Sequence, residues 1–194
     1  MAVIKTALEI ALERTEDIKS DKSTIDQFDA KQQGKRLANA FLAGEADLAA
    51  EIKKTPAPQQ ESLKQGIFDV LITQIALPVV KEDEQRLEKT GKGLQSVVRN
   101  RQFGEFYQQL MQIIARYLQE AAHYDQAIRQ QYAPKLRRKE EELSRQLGRE
   151  ISIDPMQDPE FAAFYNQNIK AFKSNYEDII EQAKEEVRRF FSEE

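Results

Sequence analysis

A single apolar stripe over residues 161–190 constrains the fold of this chain more than any other feature. Its members recur every three or four positions, which places them on one face of an α-helix. Asp158 and Pro159 are suited to the N-cap and the first position of that helix, so we expect it to begin there. Residues 103–132 carry a second stripe of this kind, which Pro134 is expected to interrupt. The first stripe consists of Phe161, Tyr165, Ile169, Phe172, Tyr176, Ile180, Ala183, Val187 and Phe190.

The length of the last helix indicates how the helices must be arranged. At a rise of about 1.5 Å per residue, a helix from residue 159 to 191 is roughly 45–50 Å long, which is too long for a compact ball of this mass. The chain of 194 residues holds only 7 glycines and 6 prolines, which fits helices better than a turn-rich β fold. We therefore predict an all-α fold, an elongated bundle of long amphipathic helices, and we expect a homodimer in which the long helices pack together.

Polar capping residues at positions 20–24 predict a break near the start of the chain. They separate a helix over residues 3–19 from a helix over residues 24–43. Gly34 lies on an apolar face of the second helix, where it permits either the close approach of another helix or a bend. Gly44 is suited to end this helix.

Two prolines within three residues mark the best candidate for a domain boundary. The segment Thr55-Pro56-Ala57-Pro58 is stiff and separates two helical patterns. We predict an N-terminal helical portion over residues 1–54 and a main helical bundle over residues 55–194, with one continuous domain as the alternative. The helix predicted over residues 59–77 becomes apolar on nearly all sides, so it should be deeply buried.

The chain has no cysteine and one histidine, which removes several kinds of chemistry. Disulfides, a thiolate nucleophile, zinc fingers and iron–sulfur clusters all require cysteine, and a catalytic zinc site of three histidines requires more than one. The most apolar run, residues 67–80, is shorter than the roughly 20 residues that span a membrane, and the N-terminus lacks a signal-peptide core. We expect a cytoplasmic protein with no membrane contact and no cofactor.

Charge is divided unevenly along the chain. Residues 89–149 hold 12 basic and 6 acidic groups, a net of +6, whereas residues 154–194 hold 5 and 10, a net of −5. One interpretation of the basic region is a surface that binds nucleic acid or another anion. The alternative is that these residues pack near the acidic last helix or form a solvated face. The candidate anion-binding residues are Lys89, Lys92, Arg99, Arg101, Arg137 and Arg138.

The segment Glu120-Ala121-Ala122-His123 is the sharpest local motif. Glu-x-x-His on a long helix is part of the ligand set of ferritin-like di-iron proteins, and the full set needs a second such motif. This chain has only one histidine, and His123 lies about 140° from the centre of the apolar stripe on a helical wheel. Glu120 and His123 are therefore candidate metal ligands, with an exposed histidine as the favoured alternative.

The aromatic residues of the two stripes fit a ligand pocket or a partner groove, although core packing is the more usual role of such spacing. Because few side chains suit catalysis, we expect a non-enzymatic helical interaction or scaffold protein that binds a protein partner through its helix faces. The alternatives are nucleic-acid or anion binding through the basic region, and a ferritin-like carboxylate–metal protein.

Overall fold

The computed structural model describes the backbone of residues 7–80 and 82–193, and the side chains in these ranges from residue 23 onward. The described residues form six α-helices and two single 3₁₀ turns, with no strand, which confirms the all-α prediction. The helices are α1 (Ala7–Ala43), α2 (Leu48–Lys54), α3 (Ala57–Leu71), α4 (Asp83–Gln95), α5 (Phe103–Leu147) and α6 (Pro159–Ser192), and the 3₁₀ turns are Ile72–Gln74 and Pro155–Gln157.

The chain divides into two compact units. The first unit takes the residues up to Ile75, then Gln85–Phe103 and the residues from Arg189 onward. The second unit takes Ala76–Glu84 and Gly104–Arg188. The predicted boundary at residue 54 lies inside the first unit, where helices α1 and α3 from its two sides pack against each other. A division of the chain at residue 54 stays a prediction.

Helix α1 runs without a break through residues 20–24, so the predicted interruption there is wrong. Serine, threonine and aspartate can cap a helix, but a helix interior also accepts them where they face solvent. Ser23 and Thr24 are exposed in this way. No glycine or proline precedes Gly34 in the sequence, so the backbone contains no residue that forces the helix to end.

Helix α5 continues well past Pro134, so the interruption predicted at this proline is also wrong. A proline inside a helix removes one backbone hydrogen bond and costs about 3 kcal/mol. Packing on both sides of the proline offsets this cost. The ring of Tyr132 meets that of Phe161, with centroids 5.2 Å apart, and Lys139 is ion-paired with Asp158 at 2.6 Å.

Two helix ends confirm the predicted caps. Gly44 has a φ of +90°, in the left-handed region that glycine adopts most readily, and its N–H donates to the carbonyl oxygen of Phe41 at 2.9 Å. At the start of α6, Oδ1 of Asp158 accepts a hydrogen bond of 2.8 Å from the N–H of Phe161. Both ends therefore lie where local sequence signals place them.

The first unit contains a very close crossing of α1 and α3. A Cβ atom added to Gly34 of α1 would collide with the carbonyl oxygen of Leu63 in α3. A Cβ atom added to Gly66 of α3 would collide with the carbonyl oxygen of Lys31 in α1. The two backbones are in contact at both glycines, which confirms the close approach of another helix, one of the two alternatives predicted for Gly34.

Helix α3 is the apolar helix predicted over residues 59–77. Its side chains Leu63, Ile67 and Leu71 are fully buried, as the sequence pattern indicates. The helix gives way to the 3₁₀ turn at Ile72–Gln74, earlier than predicted. Pro78 disfavours the helical conformation of Leu77, the last residue of the predicted helix, but it does not reach back to Leu71, where α3 ends.

In the second unit, α5 and α6 run antiparallel and are joined by aromatic contacts. Tyr117 stacks on Phe172 with ring centroids 5.8 Å apart, and Tyr132, further along α5, meets Phe161 near the start of α6. Phe161 is only 1% exposed and forms a buried cluster with Ile128 and Tyr132. Core packing is therefore the role of these members of the two aromatic stripes.

Candidate functional site

Two of the six candidate anion-binding residues make contacts inside the first unit. Lys89 Nζ donates to the carbonyl oxygen of Leu42 at 3.0 Å and lies 5.5 Å from the centroid of the Phe41 ring, at the C-terminal end of α1. A cation at this end also complements the helix dipole. Arg99 Nη2 donates to Glu61 Oε1 at 3.0 Å. Both residues therefore support the fold.

The other four candidates are exposed and have no hydrogen bond or ion pair among the residues that the structure describes. Lys92 and Arg101 belong to the first unit, whereas Arg137 and Arg138 lie on α5 in the second unit. These four side chains are available to a ligand. Anion binding stays a prediction.

Glu120, one of the two candidate metal ligands, is held by two neighbours. Its Oε1 accepts from Arg116 Nε at 2.6 Å, and its Oε2 accepts from the hydroxyl of Tyr176 on α6. The hydrogen bond from Tyr176, followed by that from Arg116, holds the pKa of Glu120 below its usual range. His123 is exposed on α5. In the described part of the chain, no three His, Cys, Asp or Glu side chains are grouped to hold a metal ion. The ferritin-like hypothesis stays a prediction.

The arrangement at Glu120 recurs further along α5. Asp125 accepts from Arg129 Nε at 2.8 Å and from the hydroxyl of Tyr165 on α6 at 2.7 Å. The hydrogen bond from Arg129, followed by that from Tyr165, holds the pKa of Asp125 below its usual range. The spacing of four residues between each carboxylate and its arginine is visible in the sequence. The tyrosines were missed, because only the packing of α5 on α6 brings them near.

A third cluster of this kind holds the start of α6. Lys139 Nζ donates to Asp158 Oδ2 at 2.6 Å and to Glu160 Oε2 at 2.8 Å. Lys135 is paired with Glu160 at 2.9 Å, and the Tyr132 hydroxyl donates to Glu160 at 3.3 Å. The hydrogen bond from Lys139, followed by that from Lys135, lowers the pKa of Glu160 from 4.5 to about 2.

We expect the stability of the protein to depend on pH through this cluster. The pKa of Glu160 is lower in the folded chain, so its stabilising effect is present above about pH 4.5 and is lost as the pH falls towards about 2. The Lys139→Met variant should melt at a lower temperature than the wild type near neutral pH, because it leaves both carboxylates without their shared cation. The difference should shrink as the pH falls through this window, which circular dichroism melts at stepped pH measure.

The control for this experiment is Lys173→Met, which removes an exposed lysine of α6. Its melting temperature should stay close to that of the wild type at every pH. An equal pH trend for the two variants would contradict the role of the Lys139 cluster.

An open groove of about 330 Å³ lies between α5 and α6. Ile113 in the groove is 37% exposed, whereas Leu110 and Ala183 beside it are buried. A groove of this form accommodates the apolar face of another helix. Its apolar lining residues are Phe106, Leu110, Ile113, Ile179 and Ala183, and its polar ones are Gln109, Gln182 and Glu186.

The sequence analysis allowed for a partner groove along the aromatic stripes, but it did not place the groove at Ile113 and Ile179, although a signal for that position exists. Ile113 and Ile179 each stand next to a core residue of their own helix, Ile114 and Ile180. Two adjacent isoleucines widen the apolar stripe beyond what one neighbouring helix covers. A doubled apolar position on each of two paired helices therefore indicates a place for a third element.

The fold and the groove define an all-α protein with an apolar groove between two antiparallel helices. Residues 49–189 match the model of DUF6657, a family of unknown function, and the chain belongs to this family. No curated protein and no solved structure matches the chain. The matched range contains every residue of the groove, and α1 precedes it.

None of the helices in the described ranges has an apolar stretch long enough to cross a bilayer.

Proposed function

We propose that this protein is a non-enzymatic interaction or scaffold protein that binds a helical protein partner in the groove between α5 and α6. The observation that carries the proposal is the exposure of Ile113 in a groove whose lining is mostly apolar. Covering such a side chain removes apolar surface from water and stabilises a complex. The proposal includes a homodimeric assembly and a cytoplasmic location. Fractionation of the native host tests the cytoplasmic location.

The charges around the groove indicate the chemistry of the partner. Glu186 lines the groove, and Asp178 and Glu185 lie on the exposed surface of α6, each within about one turn of Gln182. Glu105 is exposed one turn before the groove residue Gln109. A negative border favours a partner whose apolar face is flanked by basic side chains, since opposite charges speed the encounter and select the partner.

Anion binding is the second candidate function. The observation in its favour is the exposure of Lys92, Arg101, Arg137 and Arg138, none of which has a hydrogen bond or ion pair within residues 7–80 and 82–193. A nucleic acid bound through these side chains would dissociate steeply with added salt. The groove has no role in this candidate function.

Site-specific photo-crosslinking in the native host tests the groove. With p-benzoylphenylalanine in place of Ile113, we expect a discrete crosslinked product, because the partner covers this position. The matched control is the same replacement at Ile25, an isoleucine of α1 that is 60% exposed and lies outside the groove. The Ile25 position should not give that product.

A second pair of variants shows whether the product depends on the groove itself. Ile179→Glu places a charge in the apolar lining, so it should abolish the crosslink from position 113. Ser174→Glu adds the same charge at an exposed position on the opposite side of α6, about 140° from Ile179 around the helix, and it should leave the crosslink unchanged. The proposal is wrong if position 113 gives no product, or if the product survives Ile179→Glu in a protein with the wild-type circular dichroism spectrum.

A further inference from the structure

The α5–α6 pair carries opposite charges in two separate segments. Residues 128–139 contain five basic residues and no acidic one, whereas residues 177–186 contain five acidic residues and one basic one. Because the helices are antiparallel, the basic segment lies beside the start of α6. The acidic segment lies beside the early turns of α5, where Glu186 lines the groove. Each copy of the chain therefore presents a basic and an acidic region on the same pair of helices.

Within one copy the groove is out of reach of the basic segment. Arg138 follows Ile113 by 25 positions in the sequence, which corresponds to roughly 37 Å along a helix. Arg138 is exposed and has no ion pair among the described residues. Only a second molecule can bring an arginine at this position to the groove.

Arg138 lies on the same side of α5 as the groove. At about 100° per residue, the 25 residues from Ile113 to Arg138 complete almost seven turns, so the two side chains are only about 20° apart around the helix axis. Pro134, one turn before Arg138, is also exposed, and it lies within about 60° of Ile113 on the same wheel. The aliphatic part of Arg138 and the ring of Pro134 thus form an apolar patch that carries a positive charge. This patch has the chemistry that the acidic border of the groove favours.

We propose that the groove binds a second copy of this chain, paired antiparallel along α5 and α6 about a two-fold axis. Arg138 of the partner subunit lies with its aliphatic part against Ile113 and its guanidinium beside Glu185 and Glu186. The symmetric contact forms at the other end, because a two-fold axis repeats every contact. The axis passes near Asp125, midway between Ile113 and Arg138. This inference rests on the proposed function and identifies its partner.

A second copy fits these observations better than an unrelated basic helix. An unrelated helix would cover the groove and leave the exposed Arg138 without an acidic neighbour, although Lys135 and Lys139 already have one in Glu160. The antiparallel dimer brings Arg138 of each copy to the acidic segment of the other, so one interface covers the groove and pairs this arginine.

Charge-reversal variants, measured alone and as a mixture, test the dimer. Light scattering of the wild type should give twice the chain mass of 22.4 kDa. Arg138→Glu and Glu186→Arg each place like charges together at both symmetric contacts, so each should raise the dissociation constant of the dimer at least about tenfold. An equimolar mixture of the two variants should form a heterodimer, since opposite charges face each other again at both contacts. Lys173→Glu, an equal charge reversal elsewhere on α6, should leave the dimer unchanged.

The outcomes separate this inference from the proposed function. A wild type of 22.4 kDa at every concentration overturns the inference, and so does a mixture of the two variants that does not associate. If Glu186→Arg does not show the wild-type circular dichroism spectrum, Glu185→Arg replaces it with the same expectations. Crosslinking from position 113 to a different protein also overturns the inference, while it supports the proposed function.

Discussion

Replacing Gly34 with alanine should lower the free energy of unfolding by about 3 kcal/mol, at the upper end of the usual cost of overpacking. The added methyl group collides with the carbonyl oxygen of Leu63 and lies 3.0 Å from the backbone nitrogen of Ile67. Backbone atoms cannot rotate away as a side chain does, so α1 and α3 must separate. The higher helix propensity of alanine, about 1 kcal/mol, offsets only part of this cost. Urea denaturation followed by circular dichroism measures the change.

Gln33→Ala is the matched control, because it makes an alanine at the neighbouring exposed position of α1. Its free energy of unfolding should stay within about 0.5 kcal/mol of the wild type. Gly66→Ala should lower the free energy of unfolding about as much as Gly34→Ala. The double variant should lower it by clearly less than the sum of the two single substitutions. Once one methyl group has separated the helices, the second finds space at the same crossing. Strict additivity of the two substitutions would contradict a shared crossing.

Replacing Phe161 with alanine should lower the free energy of unfolding by about 3–5 kcal/mol, the usual range for a buried phenylalanine. Phe161 is 1% exposed, and its ring meets those of Tyr132 at 5.2 Å and Tyr165 at 5.7 Å. The substitution removes these contacts and leaves a cavity between α5 and α6. Denaturant unfolding monitored by circular dichroism measures the loss.

Phe28→Ala provides the matched control for Phe161→Ala. Phe28 is 62% exposed on α1, so its truncation should change the free energy of unfolding by no more than about 0.5 kcal/mol. Phe161→Leu should fall between the wild type and Phe161→Ala, because leucine refills part of the cavity. Equal losses for Phe28→Ala and Phe161→Ala would show that burial between α5 and α6 does not determine the cost.

The features that the sequence predicted correctly are local ones. The start of α6 depends on Asp158 and Pro159, and the end of α1 depends on Gly44, all within one turn of the helix end concerned. The apolar stripe of α6 follows from the helical period alone. These signals act over a few residues, so they can be recognised in the sequence without a tertiary structure.

The wrong predictions are two helix ends that local signals indicate and the structure does not have. Residues 20–24 can cap a helix, and Pro134 can end one, yet both lie inside continuous helices. At Pro134 the contacts of Tyr132 and Lys139 with the start of α6 hold the helix on both sides of the proline. A local signal of a few kcal/mol does not decide the outcome where a long interface contributes more.

By itself, the sequence determined that this chain forms long amphipathic helices, where several of them end, and how charge is distributed along them. Only the tertiary structure decided which groups meet: the glycines at the crossing of α1 and α3, the tyrosines that donate to carboxylates across α5 and α6, and the groove around Ile113. The physical reason is the range of the interactions involved. Helical period and caps depend on neighbours in the chain, whereas the groove and the hydrogen bonds of Tyr165 to Asp125 and of Tyr176 to Glu120 depend on residues that are 40 or more positions apart.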